Sequence, residues 1–464
     1  MVGLTGGQVS TARRRGCGVV ALLAAAACTP DWVAHRTSTF DRAVVEASPK
    51  QRASLDDPPP AGGTLTIDAA VRDVLARNPD LAAMRSGIRA MIAMARERSA
   101  PPEPMLEIGI DPLTLHTGLG QMIAYRQPLG WSSALAARAN AALHEGEAMD
   151  QDLEAMRRML GALAGEAVAE HAASRAMEHL LVRHHDLMDL MARAARARIS
   201  AGRGEIRDPI RAEAEKAKAD RDRVEARRMA AAAWVRLQTL AHRRPDAPEP
   251  VCDPDTVLGA DPGPLPAFDR LLGEAETDRP DIKAADARVA ARQAEVDEAE
   301  VMRRPMMSVG ITLNTMQEDP MMWPSLTFSI ELPAARDRRQ AMVDGAALRL
   351  EEARDRATGV RGRVSGEVGE RRADLIAVQE ALTIVDKKLL PAAQKSLELA
   401  IEGYRRIGPM AGLMGLDPVV LAAEVVLDAR MSRVDLLRRR LIATLMLNVA
   451  LGRVPGLPQE PASP

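Results

Sequence analysis

The side chains in this sequence with the clearest capacity for chemistry are soft metal ligands. The chain has 24 methionines. Five of them surround one short segment, namely Met306, Met307, Met316, Met321 and Met322. Thioether sulfur suits Cu(I) or Ag(I), which makes metal handling one interpretation of this cluster. Methionine is also a flexible filler of apolar sites, and we favour that second interpretation.

Imidazole ligands are present but poorly spaced for a metal. The candidate ligands in one predicted long helix are His171, His179, His184 and His185. Their spacings do not form an i, i+4 pair on one helical face, so we predict solvent-facing histidines and no metal site. His116 is isolated.

The sequence argues against several classes of function. It contains no glycine-rich phosphate loop, no HExxH motif and no nucleophile elbow, so we predict that the protein is not an enzyme and has no cofactor. The net charge of −2 argues against nucleic acid as a partner. Cys252 is the one cysteine outside the amino-terminal segment, so no disulfide framework is predicted.

The amino terminus has the pattern of an export signal. Arg13–Arg15 precede an apolar run from Val19 to Ala27, and this arrangement predicts a signal peptide over residues 1–27. Cys28 follows at once, which resembles a bacterial lipoprotein signal in which this cysteine is lipidated. Ordinary cleavage with an incidental Cys28 is the alternative. After residue 28 no run of 18 apolar residues occurs, so no membrane-spanning helix is predicted.

One segment, "MMSVGITLNTMQEDPMMWPSLTFSIELPA" from Met306 to Ala334, has the two-residue period of strands. Apolar residues occupy one face. Polar residues occupy the other face, and those with a candidate role in lining water are Ser308, Thr312, Asn314, Thr327 and Glu331. We expect the apolar face to meet lipid and the polar face to meet water, with strands pooled between several chains because lipid-facing backbone needs partners. A small soluble β-sandwich buried between helices is the alternative.

The chain contains an internal duplication. The segments 78–110 and 279–311 align without a gap at an offset of 201, and Gly161 and Gly165 align with Gly362 and Gly366 at the same offset. Asp208 aligns with Asp417 at an offset of 209. The predicted organisation comprises an extended segment 28–63, a first repeat 64–242, a proline-rich connector 243–267, a second repeat 268–452 and a tail 453–464.

Each repeat is predicted to run helix, strand, strand, very long helix and returning helix. The proline-free segment Ser132–Ser200 predicts a helix of roughly 100 Å, and a second long helix is predicted from Arg336. The second long helix carries apolar residues at coiled-coil spacing. They are Leu375, Val378, Leu382, Val385, Leu389, Ala392 and Leu399, and the returning helix is the expected partner.

A family resemblance is carried by the duplicated order of elements and by three parts of the sequence. These are "LTIDAAVRDVLARNPDL", "RPDIKAADARVAARQAEVDEAE", and "GYRRIG" followed by "DPVVLAAEVVLDARMSRVDLLRRRLIATLMLNVALG". Over residues 64–452 the chain resembles the TolC-like outer-membrane efflux proteins. The resemblance implies a mainly α fold with a small β part. It also implies a homotrimer with a twelve-stranded β-barrel continued by a long α-helical coiled-coil barrel, located in the outer membrane of a Gram-negative bacterium and extending into the periplasm.

The same resemblance implies a function and its sites. The chain would be the exit channel of a tripartite efflux pump. Its partners would be a periplasmic adaptor, an inner-membrane pump, for which the RND type is one candidate, and outer-membrane lipid. Gate features fall on Tyr404, Arg405, Arg406 and Asp417. The turns that dock the adaptor fall on Ala201, Gly202, Arg203, Gly204, Gly412, Leu413 and Met414.

The gate and docking residues implied by the resemblance also have simpler interpretations. Asp417 precedes Pro418, a setting in which aspartate commonly caps a helix. The glycines of the turns supply turn geometry in any protein. For the chain as a whole, the alternative is a periplasmic adaptor or a structural coiled-coil lipoprotein of an envelope assembly.

Overall fold

The computed structural model describes residues 35–36, 38–39, 64–111, 120–202, 205–259, 263–316, 319–331, 335–405 and 415–455. The predicted signal peptide 1–27, Cys28 and His116 lie outside these residues. The chain forms two compact units, and both contain parts of each repeat. The first comprises Met1–Ser48, Ala83–Asp152 and Asp281–Val360, and the second comprises Pro49–Ala82, Leu153–Pro280 and Arg361–Pro464.

The first repeat has the predicted order of elements. It contains α1 (Ile67–Arg77), α2 (Pro79–Ser99), β1 (Met105–Asp111), β2 (Gly120–Leu129), α3 (Ser132–Ser200) and α4 (Arg207–Leu240). Each repeat is predicted to begin with one helix, but in the first repeat this helix is divided at Asn78, because the following Pro79 disfavours helical backbone before it. Thr66 caps α1 through a side chain that accepts a hydrogen bond from the Ala69 amide. The 69-residue α3 has the bounds that its proline-free sequence predicts.

The second repeat follows after a short helix in the connector. Its elements are α5 (Pro254–Leu258) in the connector, then α6 (Phe268–Asp278), α7 (Pro280–Val301), β3 (Met307–Met316), β4 (Asp319–Ile330), α8 (Arg336–Ile384), α9 (Leu390–Arg405) and α10 (Asp417–Ala450). A π-helical turn, Val385–Leu389, joins α8 to α9. The predicted mainly α fold with a small β part is confirmed.

The repeats share specific hydrogen bonds as well as element order. Asn78 Nδ2 donates to the Leu240 carbonyl at 3.1 Å in the first repeat. In the second, Arg279 Nη1 donates to the Ala450 carbonyl at 3.2 Å. Asn78 and Arg279 are related by the offset of 201 found in the sequence.

The returning helices, however, are related by 210 and not by the predicted 209. Both α4 and α10 have 34 residues. The turn that ends each helix has one residue with positive φ, His242 at 49° and Gly452 at 79°, and these are 210 positions apart. The paired Asp-Pro motifs suggested the smaller offset, but the backbone geometry of the helix ends sets the larger one.

The four strands form one antiparallel sheet in the order β1-β2-β3-β4. In β3 and β4, Val309 lies opposite Phe328 and Ile311 opposite Leu326. Ser308 lies opposite Ser329. Because directly opposed residues share a face, apolar and polar residues are sorted to the two sides as the alternation predicted.

The predicted coiled-coil stripe is correct up to Val385 and wrong after it. Leu375, Leu382 and Val385 are buried, whereas Leu389 and Leu399 are exposed. Beyond the π-helical turn, the residues that pack on Val426 and Ala429 of α10 are Leu390, Ala393 and Leu397.

Pro391 gives the physical reason for this shift. It has no amide to donate and its ring would clash with the carbonyl four residues back. The wider turn lets the Leu390 amide donate to the Val385 carbonyl, five residues back, and so inserts one residue into the helical register.

The paired glycines of the two long helices have different surroundings. A Cβ at Gly165 would lie 2.6 Å from Cδ1 of Leu445, and one at Gly161 would lie 3.5 Å from Cδ of Pro455. Among the described residues, nothing lies within 4 Å of such a Cβ at Gly362 or Gly366. Close helix approach therefore explains Gly165, whereas a Cβ at Gly161 would make only ordinary van der Waals contact and the glycines of α8 have no close neighbour among these residues.

Substituting glycine with alanine at two helical positions tests the close approach. Gly273→Ala in α6 meets nothing within 4 Å, so it should raise the free energy of unfolding by up to ~1 kcal/mol through helix propensity. Gly165→Ala should lower it by about 1 kcal/mol, because the added methyl overpacks against Leu445. Thermal unfolding in mild detergent measures both. Equal stabilisation by the two substitutions would contradict the packing described.

Candidate functional sites

The apolar face of the sheet is exposed to solvent within the chain. Leu326 is 79% exposed and Leu106 is 65% exposed. Other large apolar side chains of this face with substantial exposure are Ile108, Tyr125, Phe328 and Ile330. A contiguous uncovered apolar patch of this kind marks a surface that meets lipid or another protein. The alternative of a soluble β-sandwich buried between helices is wrong for the described residues, because this face is not covered by them.

The opposite face is polar. Ser308 and Thr312 of β3 lie on it, and Thr327 of β4 lies opposite Gly310. Glu107 and Arg126 form an ion pair across β1 and β2 at 3.7 Å. The predicted water-lining residues therefore share one side of the sheet. Their role in lining water stays a prediction.

The two remaining predicted lining residues lie at the ends of the strands. Asn314 pairs with Trp323 in the ladder, and its side chain lies outside the described structure. Glu331 follows β4, is exposed, and donates its amide hydrogen to the Met306 carbonyl at 2.8 Å.

The two outer strands of the sheet have one strand neighbour each. Within the described residues, β1 pairs with β2 alone and β4 pairs with β3 alone. Each outer strand therefore has a row of backbone donors and acceptors without ladder partners. Four strands of one chain cannot satisfy these groups in a hydrocarbon environment.

A second candidate site lies where α3 and α4 meet α9 and α10, and we call it the helix-turn cluster. Its buried members are Met188, Met191, Ala192, Ala212, Tyr404, Leu416, Val419, Val420 and Ala423. All of them belong to the second compact unit. The cluster brings the returning helices of both repeats together with the two long helices.

Tyr404, predicted from the family resemblance, is buried in this cluster. The guanidinium carbon of Arg198 lies 4.2 Å from the centroid of its ring, a cation–π arrangement. Arg198 Nη1 also donates to the Tyr404 carbonyl at 3.3 Å. Arg198 was not predicted, because nothing in the primary sequence places the end of α3 beside α9. Arg405 is exposed, and Arg406 lies outside the described residues.

Asp417 lies at the start of α10 and pairs with two arginines of α4. Its carboxylate is 3.2 Å from Arg211 Nη1 and 4.0 Å from Arg207 Nη2. The N-cap position is Leu416, which makes no side-chain capping bond, so Asp417 belongs to the first helical turn and does not act as the predicted cap. The pair links the two returning helices. Arg207 and Arg211 were not predicted, although their spacing of one helical turn beside an Asp-Pro motif was a usable signal.

The predicted docking turns are only partly described. Ala201 and Gly202 are exposed, and Gly202 has a φ of 71°, which favours glycine. Arg203, Gly204, Gly412, Leu413 and Met414 lie outside the described residues.

Two of the four candidate histidines of α3 are buried, which corrects the prediction that they face solvent. His171 is 1% exposed, and its Nδ1 lies 3.1 Å from the Ala230 carbonyl, while Nε2 has no hydrogen-bond partner in the described structure. His184 is also buried. Burial away from water lowers the pKa of both His171 and His184. His179 is exposed and His185 is partly exposed.

Metal binding and thiol chemistry were the other candidates among the described residues. There, no three side chains of His, Cys, Asp or Glu come together as a metal-binding group. Burial raises the pKa of the Cys252 thiol to about 11, so this thiol is protonated and unreactive at neutral pH.

Among the helices described, none is both long enough and apolar enough to cross a lipid bilayer.

Comparison with known proteins gives matches for the second repeat and for the fold. Residues 271–453 match the family described as outer membrane efflux protein. CusC, which forms a transmembrane channel, has a TM-score of 0.72 at 17% identity, over 87% of this chain and 98% of that chain. The outer membrane protein VceC of Vibrio cholerae has a TM-score of 0.66 at 17% identity, over 83% and 96%. The open-state MtrE outer membrane channel of Neisseria gonorrhoeae has a TM-score of 0.67 at 19% identity, over 88% and 96%.

No curated protein matches the chain by sequence.

These results define the class of protein. The described chain has the fold of TolC-like outer-membrane channels. Residues 271–453 are similar to the outer membrane efflux protein family. The resemblance predicted from the sequence is confirmed.

The pH dependence of stability should report on the buried histidines. Since the folded-state pKa of His171 lies below its ordinary value of 6.5, the unfolded chain takes up the proton first as pH falls. The free energy of unfolding should therefore decrease below pH 6.5, by up to ~1.4 kcal/mol per pH unit for each such histidine. Chemical unfolding between pH 7.5 and 5 should show a shallower decrease for His171→Gln. The exposed-residue control His179→Gln should keep the original slope, and a shallower slope there would contradict the assignment.

Proposed function

We propose that this chain is one subunit of a homotrimeric outer-membrane channel, the exit duct of a tripartite efflux pump. The duct passively conducts small solutes, such as heavy-metal cations or organic toxins, across the outer membrane. A periplasmic adaptor and an inner-membrane pump deliver them. The proposal includes a lipid anchor at Cys28.

One observation carries this proposal: a four-stranded sheet has an exposed apolar face, a polar face and two outer edges without strand partners. Three such sheets joined edge to edge supply twelve strands and remove every edge. The apolar faces then meet lipid and the polar faces line water. A periplasmic adaptor or a structural coiled-coil lipoprotein has no need of such a face.

In this proposal the helix-turn cluster is the gate of the duct. Arg211 and Asp417 join α4 to α10 at 3.2 Å, and Arg198 holds Tyr404 at the end of α9. Opening requires these helix ends to separate. In the proposed mechanism the ion pair stabilises the closed arrangement, and the exposed turn at Ala201 and Gly202 receives the adaptor whose binding loosens it.

Arginine substitutions on the two faces of β4 test the membrane assignment. Leu326→Arg places a charge on the lipid-facing side, which costs ~2–4 kcal/mol at the membrane midplane, so the membrane-inserted fraction should fall more than tenfold. Thr327→Arg, one residue away on the polar face, should insert normally and shift conductance towards anions. Outer-membrane fractionation and single-channel recording in planar bilayers measure these effects. Normal insertion of Leu326→Arg would contradict the proposed orientation.

Removing one charge at the helix-turn cluster tests the gate. Asp417→Asn breaks the pair with Arg211, so resting conductance should rise severalfold, since a partly exposed ion pair contributes up to ~1 kcal/mol. Asp428→Asn makes the same change in charge at an exposed position of α10 and should leave resting conductance unchanged. Equal behaviour of the two variants in planar bilayers would remove Asp417 from the gate.

A further inference from the structure

The four helices that adjoin the sheet line a cavity of about 380 Å³, which lies entirely within the first compact unit. Its wall includes Arg98 near the end of α2, Arg138 near the start of α3, Met302 just after α7 and Met342 near the start of α8. Each of these residues is within about two helical turns of a helix end that connects to a strand. A cavity of this size is typical of sites that hold a small organic molecule.

These four helices form a row, in the same order as the strands to which they connect. Apolar side chains join α2 to α3 and α7 to α8. An ion pair of 2.5 Å between Arg138 Nε and Glu298 Oε1 joins α3 to α7. One cavity can touch all four members of such a row only on the concave side of the row. In the proposed channel, the concave side faces the axis of the duct.

The charged side chains of the cavity wall leave an excess of arginine. They are Arg98, Arg138, Arg349, Glu295 and Glu298. Arg138 is paired with Glu298, and Glu295 is paired with an arginine of its own helix. Arg98 is exposed and makes no ion pair or hydrogen bond with the described residues. The Arg349 side chain is 65% exposed and comes no closer to Glu295 than 3.9 Å. Two guanidinium groups are therefore available to a ligand.

The other groups in the wall indicate what else the ligand carries. Glu295 Oε2 is buried and has no hydrogen-bond partner in the described structure, so it can accept a hydrogen bond from an N–H or O–H group. Met302 and Met342 supply adaptable apolar surface. Guanidinium groups bind carboxylates through charge-assisted hydrogen bonds. Together, these groups are complementary to a small solute that has an anionic group, a hydrogen-bond donor and an apolar part.

We infer that this cavity binds small amphipathic carboxylates, with the anionic group held by Arg98 and Arg349 and the donor held by Glu295. As a statement about cargo, this rests on the proposed function, because solutes in transit reach the cavity only if the concave side lines the duct. Of the cargoes named there, the site favours organic compounds that carry a carboxylate over metal cations, since an unpaired guanidinium group repels a cation.

Binding of two matched probes to the full-length protein in mild detergent tests the site. N-acetylphenylalanine has a carboxylate, an N–H donor and an apolar ring, whereas N-acetylphenylalanine amide has no charge. Isothermal titration calorimetry at low salt should show about tenfold tighter binding of the anion, because charge-assisted hydrogen bonds are the stronger kind. Equal affinities for the two probes would overturn the site.

Removing single charges locates the binding. Arg98→Gln and Arg349→Gln should each weaken binding of N-acetylphenylalanine by about tenfold, since each removes one charged donor. Arg356→Gln makes the same change in charge on α8, about 10 Å along the helix from Arg349 and at an exposed position outside the described cavity wall. It should leave binding unchanged. An equal loss of binding in Arg356→Gln would contradict the site, because it would indicate a general effect of net charge.

Recording in planar bilayers separates the binding site from the channel. N-acetylphenylalanine should reduce the current through the unsubstituted protein, and Arg98→Gln should need about tenfold more of it for the same reduction. A conducting channel that binds the anion no better than the amide would overturn the site and leave the channel proposal standing. Preferential binding of the anion by a protein that never conducts would support the site and overturn the channel.

Discussion

Backbone groups without partners set the main physical constraint on this molecule. The sheet has an apolar face that the described residues of its own chain do not cover, and two edges that lack strand neighbours. Hydrocarbon cannot satisfy peptide donors and acceptors, so an uncovered apolar sheet is compatible with a membrane only when the edges are joined to other strands. In the proposed channel, other copies of the chain supply those strands.

The internal duplication gives the two halves of the chain similar contacts. The hydrogen bond from Asn78 to Leu240 and the one from Arg279 to Ala450 show that each repeat keeps its own internal contacts. Contacts between the repeats are then available in two versions. One version, between α3 and α10, is made inside the chain. The repeat-related version is absent among the described residues, where nothing lies within 4 Å of a Cβ at Gly362 or Gly366.

The helix-turn cluster combines charged contacts with apolar packing. Asp417 faces Arg207 and Arg211, so its charge is compensated within its own chain. Arg198 stacks on Tyr404, and a buried aliphatic set surrounds both. Partly exposed ion pairs over a tight apolar cluster suit a junction that stays closed at rest but opens at modest cost, because each pair contributes only about 1 kcal/mol or less.

Much of the fold followed from local patterns. The proline-free run set the bounds of α3, the alternation of β3 and β4 assigned their faces, and the repeat order indicated the family. Local patterns are sufficient there because helix and strand periods are properties of consecutive residues. The contacts around Asp417 were not predicted, although the spacing of Arg207 and Arg211 offered a signal, and the burial of His171 and His184 could not be predicted from the sequence. The structure also placed the π-helical turn at Val385–Leu389, which shifted the apolar stripe by one residue. Tertiary structure decided these features because each depends on which helix lies beside which, and on side chains that are far apart in the chain.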